Sequence, residues 1–242
     1  MAREKYKWRL NETIEQRLGD SSYGHQRAIY DGEQLLLILH EPPQHDQTDR
    51  VYAVFLREKD GSWQFKGQKK GENQLRQVVD SYRQSFTRFE QRYDKATTSD
   101  CLFSIIEDLN PSVRAIKNLA GALQSARELC KLDKLILELR DEAADLQRCF
   151  ELLLDETRFA LDYRIAKNAE EQISESRKMA KAQHKLNLMA AITFPLMAMA
   201  SLFGMDLVTH WKEVDPLFFN SVLVGGFALG FFTLKWITKE KD

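Results

Sequence analysis

The sequence predicts an α+β domain followed by one long helix and two membrane-spanning helices. Three observations lead to this prediction. β-Favouring clusters with a turn signal occupy the first part of the chain, a long stretch then lacks glycine and proline, and two apolar runs near the C-terminus carry no charged residue. The mean hydropathy of the whole chain, -0.45, does not reveal these two apolar runs, because it averages them with the polar remainder.

Residues 1–130 are expected to form the α+β domain. Apolar and β-favouring clusters in residues 1–70 predict a small, mostly antiparallel sheet, and Lys59-Asp60-Gly61-Ser62 has the composition of a hairpin turn between two strands. In residues 71–130 the period changes to the three- and four-residue steps of an amphipathic helix, at Leu75, Val78, Val79, Tyr82, Phe86 and Phe89.

Two more helices are predicted before the end of this domain. One begins at Ser99 and ends near Leu109, because Asn110-Pro111 is a stop signal, and the next runs from there toward Cys130. No glycine occurs between Gly121 and Gly204, so this stretch contains no glycine that would signal the end of a helix.

A single helix is therefore expected from Leu132 to Phe203, on the order of 100 Å long at 1.5 Å per residue. Residues 131–185 would form a stalk before the first membrane span. Because the middle of this helix is polar and weakly patterned, it is not stable alone in water, and copies of it are expected to pack side by side.

The two apolar runs predict membrane spans at residues 186–205 and 216–235. Each is about twenty residues long, which as a helix crosses a hydrocarbon core of about 30 Å. Residues 206–215 then form an outer loop and residues 236–242 a tail. Buried core helices are the alternative, although such helices seldom run this far without a charge.

Basic flanks orient the spans, since Lys and Arg favour the cytoplasmic side. Both termini are expected in the cytoplasm, in a multi-pass protein of the cell (inner) membrane with the lipid bilayer as a partner. The N-terminus has no apolar segment of a secretory signal. The flanking cations are Arg177, Lys178, Lys181, Lys185, Lys235, Lys239 and Lys241.

Composition argues against several other classes. A net charge of -1 and a pI near 6.5 do not suit a nucleic-acid binder. Three cysteines without a C-x-x-C pair suit a reducing compartment. Five histidines without metal-ligand spacing, and no phosphate loop or nucleophile elbow, make neither an enzyme nor an organic cofactor the expectation.

Gly204-Met205, at the outer end of a span that continues a charged helix, resembles the signature of the CorA family of divalent-cation (magnesium) channels. Phe194-Pro195-Leu196 precedes it in register, and the order of domain, stalk, span, loop, span and basic tail also agrees. The departure is Asp206, where family members have Asn. Similarity at the motif level covers only about the last sixty residues.

The resemblance implies a homopentamer with a central pore lined by the first span, passing Mg²⁺ with Co²⁺, Ni²⁺ or Zn²⁺ as other candidates. Gly204, Met205 and Asp206 would form the ion entrance. A ring of Asp206 carboxylates would attract a hydrated divalent cation more strongly than amides do, but it could also trap the ion, because Mg²⁺ gives up water reluctantly. The alternative that Asp206 only caps a turn stays open.

Counting back from Gly204 along a straight helix identifies the stripe that would face this pore. Its apolar members would form constrictions and its polar members stations for a hydrated ion. Lipid-facing or packing roles are equal alternatives for each one. The stripe consists of Gln183, Leu186, Asn187, Ala190, Phe194, Met197 and Ser201.

The outer loop and the second span each carry one further feature. Glu213 and Asp215 make the outer loop acidic and could concentrate cations there, or they are ordinary loop charges. Small residues at Ser221-x-x-x-Gly225 and Gly226-x-x-x-Gly230 permit close packing of the second span. A second functional hypothesis also remains: a membrane-anchored, ligand-gated effector or sensor with a closed or non-conducting pore.

Overall fold

The structure is a computed structural model that describes residues 4–44, 51–204 and 216–239. The chain divides into two compact units, Met1–Ala166 and Lys167–Asp242. The elements in chain order are α1 Glu12–Glu15, β1 Arg27–Tyr30, β2 Leu35–His40, β3 Tyr52–Arg57, β4 Trp63–Phe65, β5 Gln68–Lys69, α2 Gly71–Asp94, α3 Ser99–Leu129, α4 Lys134–Gly204 and α5 Pro216–Lys239.

The first unit contains the antiparallel sheet that the sequence predicts. Its five strands follow one another in the order β1-β2-β3-β4-β5, and each neighbouring pair is antiparallel. The predicted turn joins β3 to β4. The backbone N–H of Glu58 donates to the Ser62 carbonyl at 2.9 Å, and Gly61 takes φ of 86°, a conformation that glycine adopts without steric cost.

The sheet is covered on both faces, so β2 is buried along its whole length. Because side chains alternate along a strand, Leu35, Leu37 and Leu39 enter one core and Leu36 and Ile38 the other. The first core lies against α2, α3 and the first part of α4. The second core is closed by α1 and by the segments on either side of it, with Tyr6, Trp8, Leu10, Ile14, Leu18 and Tyr23.

Helix α2 confirms the predicted amphipathic pattern. Leu75, Val79 and Tyr82 are fully buried, and the hydroxyl of Tyr82 donates to the carbonyl of His40 at 3.0 Å. Farther along, the rings of Phe86 and Phe89 lie 5.4 and 6.3 Å from the ring of Phe150 on α4. These contacts hold the first part of α4 against α2 within this unit.

The predicted break at Asn110-Pro111 is wrong, because α3 is one helix from Ser99 to Leu129. Proline lacks the N–H that would donate to Glu107. Two neighbouring side chains donate to the adjacent carbonyls: Asn110 Nδ2 to Ile106 at 2.8 Å and Ser112 Oγ to Asp108 at 3.3 Å. Packing of the buried face on both sides of the proline keeps the helix continuous.

The uninterrupted helix expected after residue 131 is present as α4, which begins at Lys134. Asp133 precedes it and accepts from the backbone N–H of Ile136 at 3.2 Å, so its carboxylate caps the helix. The same carboxylate accepts from Arg57 Nε at 2.6 Å and thereby ties the start of α4 to β3. The predicted domain boundaries at residues 130 and 185 stay predictions.

Candidate functional site

The whole predicted pore stripe lies on α4. Leu186, Phe194 and Met197 are 65, 66 and 65% exposed in the single chain, values that are unusual for large apolar side chains. The polar members of the stripe, Gln183, Asn187 and Ser201, are also exposed, whereas Ala190 is half-buried. Gly204 is the last residue of α4. The other predicted site residues, Met205, Asp206, Glu213 and Asp215, lie outside the described residues.

Helix α5 packs on another side of α4. Gly230 approaches the backbone of Ile192 so closely that a Cβ added to this glycine would lie 3.5 Å from the Ile192 carbonyl oxygen. The half-buried positions near this contact are Leu188, Ala191 and Pro195, together with Ala190 of the stripe. At 3.6 residues per turn, Leu188, Ala191 and Pro195 are centred roughly 120° around the helix from the centre of the stripe. Most of the stripe is therefore turned away from α5.

The predicted role of the small residues in α5 stays a prediction. Gly230 is buried beside Ile192, but a Cβ added to it would make only an ordinary van der Waals contact with α4. A Cβ added to Gly225 meets nothing within 4 Å.

The stripe combines polar and apolar side chains. Gln183, Leu186 and Asn187 lie in its first turns, Ala190, Phe194 and Met197 follow, and Ser201 comes near the end of α4. An exposed amide in an apolar helix is unfavourable unless it faces water or a partner. The role of the stripe as a pore lining stays a prediction.

The described residues hold no ready-made metal centre. Within them no group of three or more His, Cys, Asp or Glu side chains is placed to hold a metal ion. Over the same part of the chain, no helix meets the length and apolarity that crossing a membrane requires.

A second feature lies in the first unit, where α2 and α3 border an open cleft of about 520 Å³. Arg92 donates to Asp108 across it at 2.7 Å and stacks over the ring of Phe89 at 5.7 Å. Arg88 lines the same cleft, as does Pro111, the proline inside α3. Sequence reasoning missed this cleft, because it assumed that α3 ended at the proline.

Sequence reasoning also missed a common face of basic side chains on α4. The sequence argument used four cations only to orient the spans: Arg177, Lys178, Lys181 and Lys185. At 3.6 residues per turn, each of them lies roughly 130° or more around α4 from the centre of the stripe. Their three- and four-residue spacing is the signal that could have revealed this face.

Comparison with known proteins gives a likeness of fold. No protein-family model matches the chain, and no curated protein matches it either. The chain is similar in fold to the full-length CmaX protein. That structure superposes with a TM-score of 0.54 at 13% identity and covers 90% of this chain and 77% of its own.

Two weaker structural matches have TM-scores below 0.5. The cytoplasmic domain of ZntB from Vibrio parahaemolyticus RIMD 2210633 has a TM-score of 0.47 at 12% identity and covers 61% of this chain and 75% of its own. The CorA magnesium transporter from Methanocaldococcus jannaschii has a TM-score of 0.40 at 15% identity and covers 87% of this chain and 78% of its own.

Proposed function

We propose that this chain is a CorA-like membrane protein that assembles as a homopentamer and passes divalent cations, Mg²⁺ first among them, down their electrochemical gradient. It is not an enzyme and uses no organic cofactor. The observation that carries the proposal is the exposed stripe on α4, most of which is turned away from α5 and which leads to Gly204 at the end of the helix.

Membrane insertion is supported by the sequence. Residues 186–205 and 216–234 contain no Asp, Glu, Lys or Arg, and cations flank both runs on the same side of the connecting segment. The positive-inside tendency then puts both termini in the cytoplasm. The contact between Gly230 and Ile192 adds that these two segments pack against each other, as two neighbouring spans do.

The pentamer provides a cover for the stripe. Five copies of α4 around one axis would turn Leu186, Phe194 and Met197 toward a common pore and away from lipid. Rings of such side chains gate by dewetting, and rings of Asn187 and Ser201 offer oxygen atoms to a hydrated cation. The likeness in fold to full-length CmaX extends over 90% of this chain, so it is not limited to one domain.

Asp206 is the proposed entrance. In a pentamer the chain contributes five carboxylates at the outer end of the first span, and an acidic ring concentrates divalent cations at a pore mouth. Mg²⁺ keeps its inner waters when it binds through few carboxylates. Entry would thus involve a hydrated ion held through water, and Glu213 and Asp215 of the outer loop would raise the local cation concentration further.

The test is flux of Mg²⁺, Co²⁺ and Ni²⁺ into proteoliposomes that contain the full chain. Wild-type protein is expected to conduct. Asp206→Asn is expected to keep flux but to raise the cation concentration for half-maximal flux several-fold, because the entrance loses its charge. Glu213→Gln is the matched control, since it removes the same charge from the loop and is expected to have a smaller effect.

Other outcomes separate the alternatives. No flux through the wild type, with flux through Asp206→Asn, would mean that the carboxylate ring blocks the pore or that the pore opens only when a ligand binds. No flux through either protein would contradict the channel and favour the ligand-gated sensor. The cleft between α2 and α3 is the feature that favours this second function, because a cytoplasmic ligand could bind there beside Arg88 and the ion pair of Arg92 with Asp108.

A further inference from the structure

The basic face of α4 consists of Arg177, Lys178, Lys181 and Lys185, all of which are exposed. It occupies the last three turns before the first apolar run. Its centre lies opposite the centre of the stripe, at about 100° of rotation per residue. Cations are thus concentrated on the outer side of the helix and kept off the side proposed to line the pore.

One carboxylate, Glu175, lies a turn before Lys178, but none lies among the four cations or beyond them on this helix. The four positions one turn away from Lys181 hold Arg177, Lys178, His184 and Lys185, and no Asp or Glu occurs from residue 177 to residue 205. None of the ion pairs within the described part of the chain involves the basic face. Like charges at this spacing destabilise a helix. An anion bound from outside the chain would reduce this repulsion.

Helix α5 brings one more cation to the same level. Ile192 lies about twelve residues before the end of α4, and Gly230 about fourteen residues after the start of α5, so their contact makes the two helices antiparallel neighbours. Counting from that contact at 1.5 Å per residue puts Lys235 within about a turn of Lys185 along the axis. The side chain of Lys235 is exposed.

Apolar side chains continue the surface directly beyond the basic face. Met189 on α4 is 65% exposed, and Phe231 and Phe232 on α5 are each 70% exposed. The surface therefore changes from cationic to apolar within about two helical turns. An amphiphile with an anionic head and acyl chains matches this change, whereas a soluble phosphate, a nucleic acid or an acidic protein would leave the apolar part uncovered.

We propose that the basic face, together with Lys235, binds the phosphate head groups of anionic phospholipids in the cytoplasmic leaflet. This proposal rests on the membrane insertion in the proposed function. Lysine ammonium groups act as point charges toward phosphate oxygens, and the acyl chains would lie along the exposed aromatic side chains of α5. The bound lipid would sit outside the ring of pore-lining helices.

The test uses the full chain in neutral detergent and follows its thermal unfolding as lipid is added. Phosphatidylglycerol is compared with phosphatidylcholine of the same acyl chains and with glycerol phosphate, which carries the anion without the chains. A ligand of the folded state raises the unfolding temperature with its concentration. Only phosphatidylglycerol is expected to do so, and the rise should shrink at high salt because of screening.

Two triple variants give the decisive comparison. Lys178→Gln, Lys181→Gln and Lys185→Gln together should weaken the apparent affinity for phosphatidylglycerol on the order of 100-fold, at about fivefold per lysine. The control replaces Lys131, Lys134 and Lys167, which are also exposed, with Gln. It removes the same charge, and the nearest of these residues lies about 15 Å along α4 from Arg177, so its affinity should match that of the wild type.

Equal loss in both triple variants, or an unchanged affinity in the first, would overturn the lipid site. So would an equal response to glycerol phosphate, which would identify a general anion site. Alkaline carbonate extraction of cell membranes separates this failure from that of the proposed function. A chain that stays in the membrane without preferring phosphatidylglycerol contradicts the lipid site alone, whereas a chain that is extracted contradicts both.

Discussion

Phe150 provides the sharpest test of how α4 is held in the first unit. This residue is fully buried on α4 and meets Phe86 and Phe89 of α2 in edge-to-face geometry. Phe150→Ala removes a buried aromatic side chain worth about 2–3 kcal/mol by transfer. It also removes two ring pairs worth roughly 0.5–1.5 kcal/mol each. The expected loss of unfolding free energy is thus about 4 kcal/mol, within the usual range for such a truncation.

The assay is thermal unfolding of the full chain in detergent, followed by tryptophan fluorescence, because Trp63 lies in the same buried cluster. At about 2–4 °C per kcal/mol for a unit of this size, Phe150→Ala should lower the unfolding temperature by roughly 10 °C. Phe103→Ala is the matched control, since Phe103 is 55% exposed on α3 and should cost less than about 1 kcal/mol. Equal shifts in the two variants would refute the packing of α4 against α2.

Two further predictions concern titratable groups of the first unit. Burial opposes ionisation of Asp31, but hydrogen bonds, first of all from the backbone N–H of Gln34, outweigh it and hold the pKa of Asp31 below its ordinary value of 3.8. A carboxyl with a lowered pKa stabilises the fold above its unfolded pKa and loses that effect as pH falls through the folded pKa. The gap in unfolding temperature between wild type and Asp31→Asn should therefore be largest near pH 6 and shrink as the pH falls below 3.8. A constant gap would contradict the hydrogen-bonded carboxylate. Burial raises the pKa of the Cys130 thiol, whereas Cys101 and Cys149 are exposed. Iodoacetamide at pH 7.5 should therefore modify Cys130 most slowly, as peptide mass spectrometry would measure, and faster modification of Cys130 than of both others would contradict its burial.

Local sequence signals were sufficient where a backbone rule and a hydrophobic period agree. Gly61 in the β3–β4 turn and the spacing of Leu75, Val79 and Tyr82 are of this kind, since each identifies its element without reference to distant residues. The part of α4 before Pro195 followed from the absence of glycine and proline, and the helix continues through Pro195 to Gly204.

The break at Pro111 failed for a physical reason. A proline without an N–H is a stop signal when the chain is considered locally, but Asn110 and Ser112 satisfy neighbouring carbonyls, and burial of the same helix face continues on both sides. Those compensations depend on tertiary packing, which a local stop signal does not include.

The candidate site was predictable in part. The stripe could be counted from Gly204 because a helix has a fixed period, but its relation to α5 needed the contact between Gly230 and Ile192. The basic face could also be counted from the helix period, but the level of Lys235 beside Lys185 needed the contact between the two helices.

Thiol modification of the stripe during cation flux is the measurement that tests the proposed pore most directly. In a background with the three native cysteines replaced by serine, Ser201→Cys introduces a thiol on the stripe of α4, and Val224→Cys introduces one on α5, where Val224 is 65% exposed. If the stripe lines the path, a charged, membrane-impermeant thiol reagent should abolish Mg²⁺ flux in Ser201→Cys proteoliposomes and leave flux in Val224→Cys unchanged. Equal inhibition of the two variants, or full flux through a modified Ser201→Cys protein, would contradict a pore along this face of α4.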